Sequence, residues 1–137
     1  MNYWKKGCNH LLKCDPVFEK YYNPKHQLKT NKNKFDVLFK SICSQQISVS
    51  AAMSIYKNSK HIIGPVNFTN FRNNKNKIKE LPLSNNKKKC LISLLENYHL
   101  VSKIKLNKNS FDKVNKDLTQ IFGIGRWTAE MFSIFYL

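Results

Sequence analysis

The residues best able to do chemistry gather near the end of the sequence, in Leu118-Thr119-Gln120-Ile121-Phe122-Gly123-Ile124-Gly125-Arg126-Trp127-Thr128. One apolar helical pattern closes at Phe122 and another opens almost at once, so the chain must reverse tightly. Gly123 can take the left-handed conformation that ends a helix without a Cβ penalty. Gly125 leaves no side chain between the backbone and an approaching group. The first N–H groups of the following helix, around Gly125 to Thr128, have no intrahelical acceptor and lie at the positive end of its dipole. Such a turn is a seat for an anion, and phosphate is the natural occupant. Gly-x-Gly between two helices also fits an ordinary helix corner, and the glycines alone do not choose between the two.

The charge points the same way. The 137 residues carry 24 basic and 8 acidic side chains, a formal net charge of +16. A surface this basic gains affinity for a polyanion by releasing condensed counterions. The plainer explanation is compositional, since 22 of the cations are Lys, only Arg72 and Arg126 are Arg, and 17 residues are Asn. With 42% hydrophobic and 12% aromatic residues the chain is too apolar for a disordered tail, and a mean hydropathy of -0.50 implies a polar surface. The length suits one domain. The closing apolar run, Met131 to Leu137, is far shorter than the roughly 20 residues a membrane span requires. The start lacks the apolar stretch of a secretory signal. These features predict a cytoplasmic protein, associated with the nucleoid if the cell is bacterial, with no membrane partner. Cys8, Cys14, Cys43 and Cys90 form no CxxC pair, and His10, His26, His61 and His99 are scattered, so neither a zinc site nor an iron-sulfur cluster is expected. Cys43 and Cys90 fall in apolar helical patterns and read as buried thiols.

The elements that must position the turn are helices. Phe35, Leu38, Phe39, Ile42 and Cys43 recur at helical spacing over 35–44, with Asp36, Lys40, Ser41 and Ser44 assigned to the other face. Ser48 reads as the N-cap of a second helix that runs to about Asn58, with Val49, Ala52, Met53 and Tyr56 on one stripe. Between the two lies the polar link Ser44-Gln45-Gln46-Ile47. A third helix follows Pro82 and Ser84, its stripe running from Cys90, Leu91, Leu94 and Leu95 to Tyr98 and Val101. A fourth, capped by Ser110, spans Phe111 to Phe122 with Val114, Leu118 and Ile121 on its apolar side. The stretches Asn23 to Lys34, which contains Pro24, and Asn70 to Lys79 read as basic loops. Lys87-Lys88-Lys89 opposes the dipole of the helix it begins, which a phosphate partner would relieve, although a solvated face explains any single run more simply. No segment alternates as a strand. The expected fold class is all-α, a helical bundle containing a helix-hairpin-helix motif.

Two motifs then carry a resemblance. Gly123-Ile124-Gly125-Arg126-Trp127-Thr128-Ala129-Glu130-Met131 resembles the hairpin of the helix-hairpin-helix DNA glycosylase superfamily, in particular its 3-methyladenine DNA glycosylase II branch. Upstream, Ser41-Ile42-Cys43-Ser44-Gln45-Gln46-Ile47-Ser48-Val49-Ser50-Ala51-Ala52 is similar to that branch's helix-link-helix with its Gln-Gln-Ile-Ser signature. His10-Leu11-Leu12-Lys13-Cys14-Asp15-Pro16 resembles the family's opening segment, so the likeness runs from about residue 10 to the end.

The resemblance implies an enzyme of base excision repair that flips alkylated purines out of damaged double-stranded DNA and hydrolyses the N-glycosidic bond as a monomer. It places Gly123, Gly125, Arg126 and Thr128 on the DNA backbone, and Gln45, Gln46 and Ser48 at the link, with Gln46 entering the duplex where the flipped nucleotide was. The main-chain carbonyls of Thr119, Ile121 and Ile124 would hold a structural Na+ or K+, the one cofactor implied. Trp127 and Met131 would line the base pocket. Trp127 stands where glycosylases with lyase activity keep a Schiff-base lysine, and tryptophan forms no imine, so water is the expected nucleophile. Its aromatic face suits a cationic alkylated purine, an attraction of about 0.5–2 kcal/mol. The plainer reading makes Trp127, Met131, Ile134 and Phe135 a core stripe, and the expectation combines the two, with Trp127 at the pocket edge and the rest buried.

The family's catalytic aspartate is expected one helix and one loop beyond the hairpin. Only 12 residues follow Gly125, so none is expected within the chain, and that aspartate would lie beyond Leu137. Asp112, Asp117 and Glu130 sit on the wrong elements to replace it. Residues 1–137 then read as a single, incomplete glycosylase domain with its hairpin at about 111–137. The alternatives are a DNA-binding module without catalysis and a Lys-rich structural protein.

Overall fold

The computed structural model describes residues 3–23, 26, 31–105 and 110–136, and every regular element among them is helical, as the periodicity predicts. Within the predicted loop 23–34, residues 24–25 (Pro24 among them) and 27–30 lie outside the described residues. So does Leu137 at the end of the predicted hairpin.

The centre of the bundle is a helix over Lys34–Ser44, packed between neighbours on both sides. In chain order the α-helices are α1 (Tyr3–Cys14), α2 (Lys34–Ser44), α3 (Val49–Ile63), α4 (Phe68–Asn73), α5 (Asn85–Glu96), α6 (Tyr98–Ser102), α7 (Phe111–Leu118) and α8 (Arg126–Tyr136). Phe35, Leu38, Phe39, Ile42 and Cys43 of α2 are fully buried. The ring of Phe71 from α4 fits between Phe35 and Phe39, with centroids 5.0 and 4.9 Å away.

The face of α2 assigned to solvent is largely covered, because α3, α5 and α8 all pack on this helix. Asp36, only 7% exposed, and Ser41 are buried. A buried carboxylate is costly unless its oxygens are fully bonded. Here Lys40 Nζ donates to Asp36 at 2.7 Å, the Tyr56 hydroxyl at 2.6 Å, and the Asn31 amide closes the set. Ser41 Oγ donates to the Val37 carbonyl at 3.0 Å.

Other elements depart from expectation for local reasons. The second helix runs on to Ile63, and on its stripe Ala52 is buried while Val49 and Met53 are exposed. Residues 70–79 are not a loop: α4 is capped by Asn67, and a 3₁₀ helix follows over Lys75–Glu80, burying Phe71 and Ile78. Elements this short have too few turns to display a period. The third predicted helix breaks at Asn97, whose side chain donates to the Ser93 carbonyl at 2.9 Å, so that α5 and α6 are separate. The fourth ends at Leu118 rather than Phe122, with the Thr119 hydroxyl closing it on the Asn115 carbonyl at 2.8 Å. At the far end of the chain, α1 packs on a 3₁₀ helix over Pro16–Tyr21 capped by Asp15.

Ser48, Ser84 and Ser110 each accept the N–H three residues on, the geometry of an N-cap. Cys43 and Cys90 are buried as expected, and burial pushes both thiols up to about 12.

Candidate nucleic-acid interface

Between α7 and α8 the chain reverses through Thr119 to Gly125. Gly123 has φ +80, and a Cβ there would lie 2.6 Å from Cys90 Cβ and 2.8 Å from its sulfur. This glycine is required by the fold: it lets the turn settle directly on α5. Ile121 and Ile124 anchor the turn in the core, the Ile124 N–H donates to the Ile121 carbonyl at 3.0 Å, and the Phe122 N–H donates to Ser93 Oγ at 3.1 Å.

Gly125 is the opposite case. Its φ is not positive, and a Cβ built on it meets no heavy atom within 4 Å. Nothing inside the protein calls for a glycine here; the open space lies outside. The first helical bond of α8 runs from the Ala129 N–H to the Gly125 carbonyl at 3.1 Å. The N–H groups of Gly125, Arg126, Trp127 and Thr128 therefore precede any helical acceptor and lie at the positive end of α8. Arg126 projects beside them, its Nε 2.7 Å from Glu130 Oε1, a bond that also raises the guanidinium's pKa.

The link between α2 and α3 meets this turn. Gln46 is exposed at its tip with φ 57, the one non-glycine residue of positive φ among the described residues. Gln45 turns inward, its Nε2 donating to the Gly123 carbonyl at 3.0 Å and to Thr128 Oγ1 at 3.2 Å. Thr128 is only 3% exposed, and its hydroxyl is taken up by Gln45 inside the protein. Ser48 Oγ caps α3, at the edge of the same surface.

Beside the hairpin, α2, α3 and α8 enclose a cavity of about 360 Å3 lined by Lys40, Ser44, Val49, Met53, Tyr56, Trp127, Met131 and Phe135, among others. Trp127 forms its rim, 54% exposed. The expectation that the remaining stripe is core fails: Met131 is half-buried, and Ile134 and Phe135 are exposed. The face of α8 that enters the core carries Ala129, Phe132 and Tyr136 instead. The cavity's far wall is fixed by Asp36, which holds both Lys40 and Tyr56 while Lys40 Nζ sits 5.0 Å from the Tyr56 ring centroid. Burial first, then the bond to Asp36, raises the pKa of the Tyr56 hydroxyl. No aspartate or glutamate lines the cavity among the described residues.

Neither a family model nor a curated protein matches the chain. Solved structures do. The chain superposes on 3-methyladenine DNA glycosylase Mag1 of S. pombe, in complex with abasic DNA, with a TM-score of 0.76 and 26% identity over 96% of this chain and 70% of that one. It superposes on a DNA-3-methyladenine glycosidase from Bacillus halodurans with a TM-score of 0.69 and 29% identity over 81% of this chain. In fold the chain is similar to these two DNA-3-methyladenine glycosylases. It spans about half, 54%, of the Bacillus protein's length.

Of the positions expected in this glycosylase fold to meet DNA, Gly123, Gly125, Arg126, Gln46 and Ser48 lie on or beside the hairpin and link, while the Gln45 amide and Thr128 hydroxyl engage each other. Trp127 and Met131 both line the cavity. Thr119, Ile121 and Ile124 stand on the turn, and the Ile121 carbonyl already accepts one N–H, which leaves it a second lone pair. Sequence reasoning missed the set Asn31, Asp36, Lys40 and Tyr56. Its only trace in the sequence is the i, i+4 spacing of Asp36 and Lys40.

Proposed function

We propose that the chain acts in base excision repair as a monofunctional DNA glycosylase of the 3-methyladenine type, holding damaged duplex and accepting a flipped, alkylated purine beside Trp127. The observation that carries this reading is the junction at Gln45: the open amide edge of the hairpin, the exposed left-handed Gln46 and the Trp127-rimmed cavity lie side by side.

Each part has a task. The N–H groups of Gly125 to Thr128 take a backbone phosphate, helped by Arg126 and by a lysine-rich surface. A Na+ or K+ on the carbonyls of Thr119, Ile121 and Ile124 would add positive charge at the same phosphate. Flipping costs a few kcal/mol of unstacking, less at a damaged base, and Gln46 fills the gap left in the duplex. Trp127 attracts the cationic purine by its π face. The protein works as a monomer on double-stranded DNA in the cytoplasm. Hydrolysis also needs a carboxylate against the positive charge that develops on the sugar, and the described cavity presents none. That observation favours a second reading for these residues, a DNA-binding module without catalysis.

Two assays on the 137-residue chain separate the readings: binding to duplexes with and without an abasic site, and release of 3-methyladenine from methylated DNA. Preference for abasic DNA with base release supports the glycosylase. Preference without release supports the module. Equal affinity for the two duplexes overturns both.

A further inference from the structure

We infer that Gln45 is a positioning residue that fastens the inserting link to the phosphate-gripping hairpin, so that gripping and insertion keep one register. The inference rests on the proposed function, and it concerns a side chain that does not itself touch DNA.

The Gln45 amide has two N–H groups, and both have acceptors within the protein: the Gly123 carbonyl at 3.0 Å and Thr128 Oγ1 at 3.2 Å. Half-buried, with both donors engaged, it has no N–H left to offer a phosphate. The two acceptors belong to the two parts of the hairpin that matter. Gly123 is the left-handed residue of the turn, and Thr128 is a buried residue in the first turn of α8, whose N–H groups have no helical acceptor. Among the described residues no other hydrogen bond joins the link to the hairpin. The link's own main-chain bond, from the Ile47 N–H to the Ser44 carbonyl, is long at 3.5 Å.

The residue so held is Gln46. A glutamine at φ 57 is strained relative to extended or helical backbone, and such a conformation persists only where its surroundings fix it. The side chain immediately before it supplies that fixing. Two left-handed residues on different loops, Gln46 and Gly123, thus flank one bonded amide. When the hairpin seats a phosphate, the tip of the link is already set at a fixed distance along the strand. Without the tether the link can relax its strained residue, and the hairpin then grips without guiding insertion.

The test compares Gln45→Met, which keeps length and removes both bonds, with Gln46→Ala and the double variant. The probes are two short duplexes, one undamaged and one with an abasic site. Gln45→Met should lower the abasic preference about fivefold, the size of one or two neutral hydrogen bonds, and leave undamaged binding within about twofold. Because the tether acts through Gln46, the double variant should bind like Gln46→Ala alone, a non-additivity that a merely structural residue would not show. Thr128→Val, which removes one acceptor at constant shape, should give a smaller loss of the same kind and serves in place of Gln45→Met if that variant melts early. Additive losses, an equal loss on both duplexes, or an unchanged preference would overturn the inference. If the wild-type chain shows no abasic preference, the proposed function fails and this inference falls with it.

Discussion

The two glycines of the hairpin should respond to substitution in opposite ways. At Gly123 a methyl group would sit 2.6 Å from Cys90 Cβ on a backbone of φ +80. The left-handed conformation costs a non-glycine residue about 1–2 kcal/mol, and forcing a methyl into a packed site adds about 1–3. Gly123→Ala should therefore destabilise the fold by about 2–5 kcal/mol, a fall in Tm of about 6–20 °C for a domain of this length. At Gly125 no heavy atom lies within 4 Å of the Cβ position and φ is not positive. Gly125→Val should change stability by less than about 1 kcal/mol. Its isopropyl group would, however, stand in front of the N–H groups of Gly125 to Thr128. Loss of one charge-assisted bond to phosphate weakens binding about 10–100-fold, and the slope of log K against log salt should become shallower by about 0.9. Thermal melting by circular dichroism and fluorescence anisotropy with a labelled duplex read the two quantities separately. The reasoning is refuted if Gly125→Val binds DNA like the wild type, or if Gly123→Ala melts like it.

Four further outcomes are expected. Trp127→Lys, placed at the rim of the cavity, should trap covalently on abasic DNA with borohydride, and the wild type should not; equal trapping would remove Trp127 from the reacting edge. Asp36→Asn removes the charge that holds Lys40, Tyr56 and Asn31 and should cost about 1.5–3 kcal/mol in urea unfolding, since bonds to a buried charge are lost. Cys43 and Cys90, with thiols pushed up to about 12, should resist a thiol reagent at pH 8 until the chain unfolds, while exposed Cys14 reacts at once. Their pKa is raised in the folded state, so the stability they contribute is complete below about pH 8.5, where unfolded thiols ionise, and falls as pH rises toward 12. Unfolding free energies that stay flat from pH 8 to 11 would contradict this.

The hairpin was legible in the sequence because its chemistry is local: Gly123 and Gly125 flank one residue, and the helix they introduce begins within the same short run. The caps Ser48, Ser84 and Ser110 were legible for the same reason. What escaped is non-local. Gln45 bonds residues 78 and 83 positions away, and no spacing rule reaches so far. Asp36 read as a solvent-facing charge because its partner Tyr56 lies a helix away and α2 is covered on nearly every side. Trp127, Met131 and Phe135 have the period of a core stripe, and that period is the same whether the stripe meets packed side chains or an open cavity. The helix over Phe68–Asn73 and the 3₁₀ helix after it are held by single buried residues, Phe71 and Ile78, too few to show a pattern.

Amide chemical shifts of the labelled chain, titrated with a short duplex carrying an abasic site, would test the central claim most directly. The account predicts that the N–H signals of Gly125 to Thr128 and of Gln46 move most, while those of α1 stay in place. Shifts centred on α1 or on Lys75–Glu80, with the hairpin amides unmoved, would contradict it.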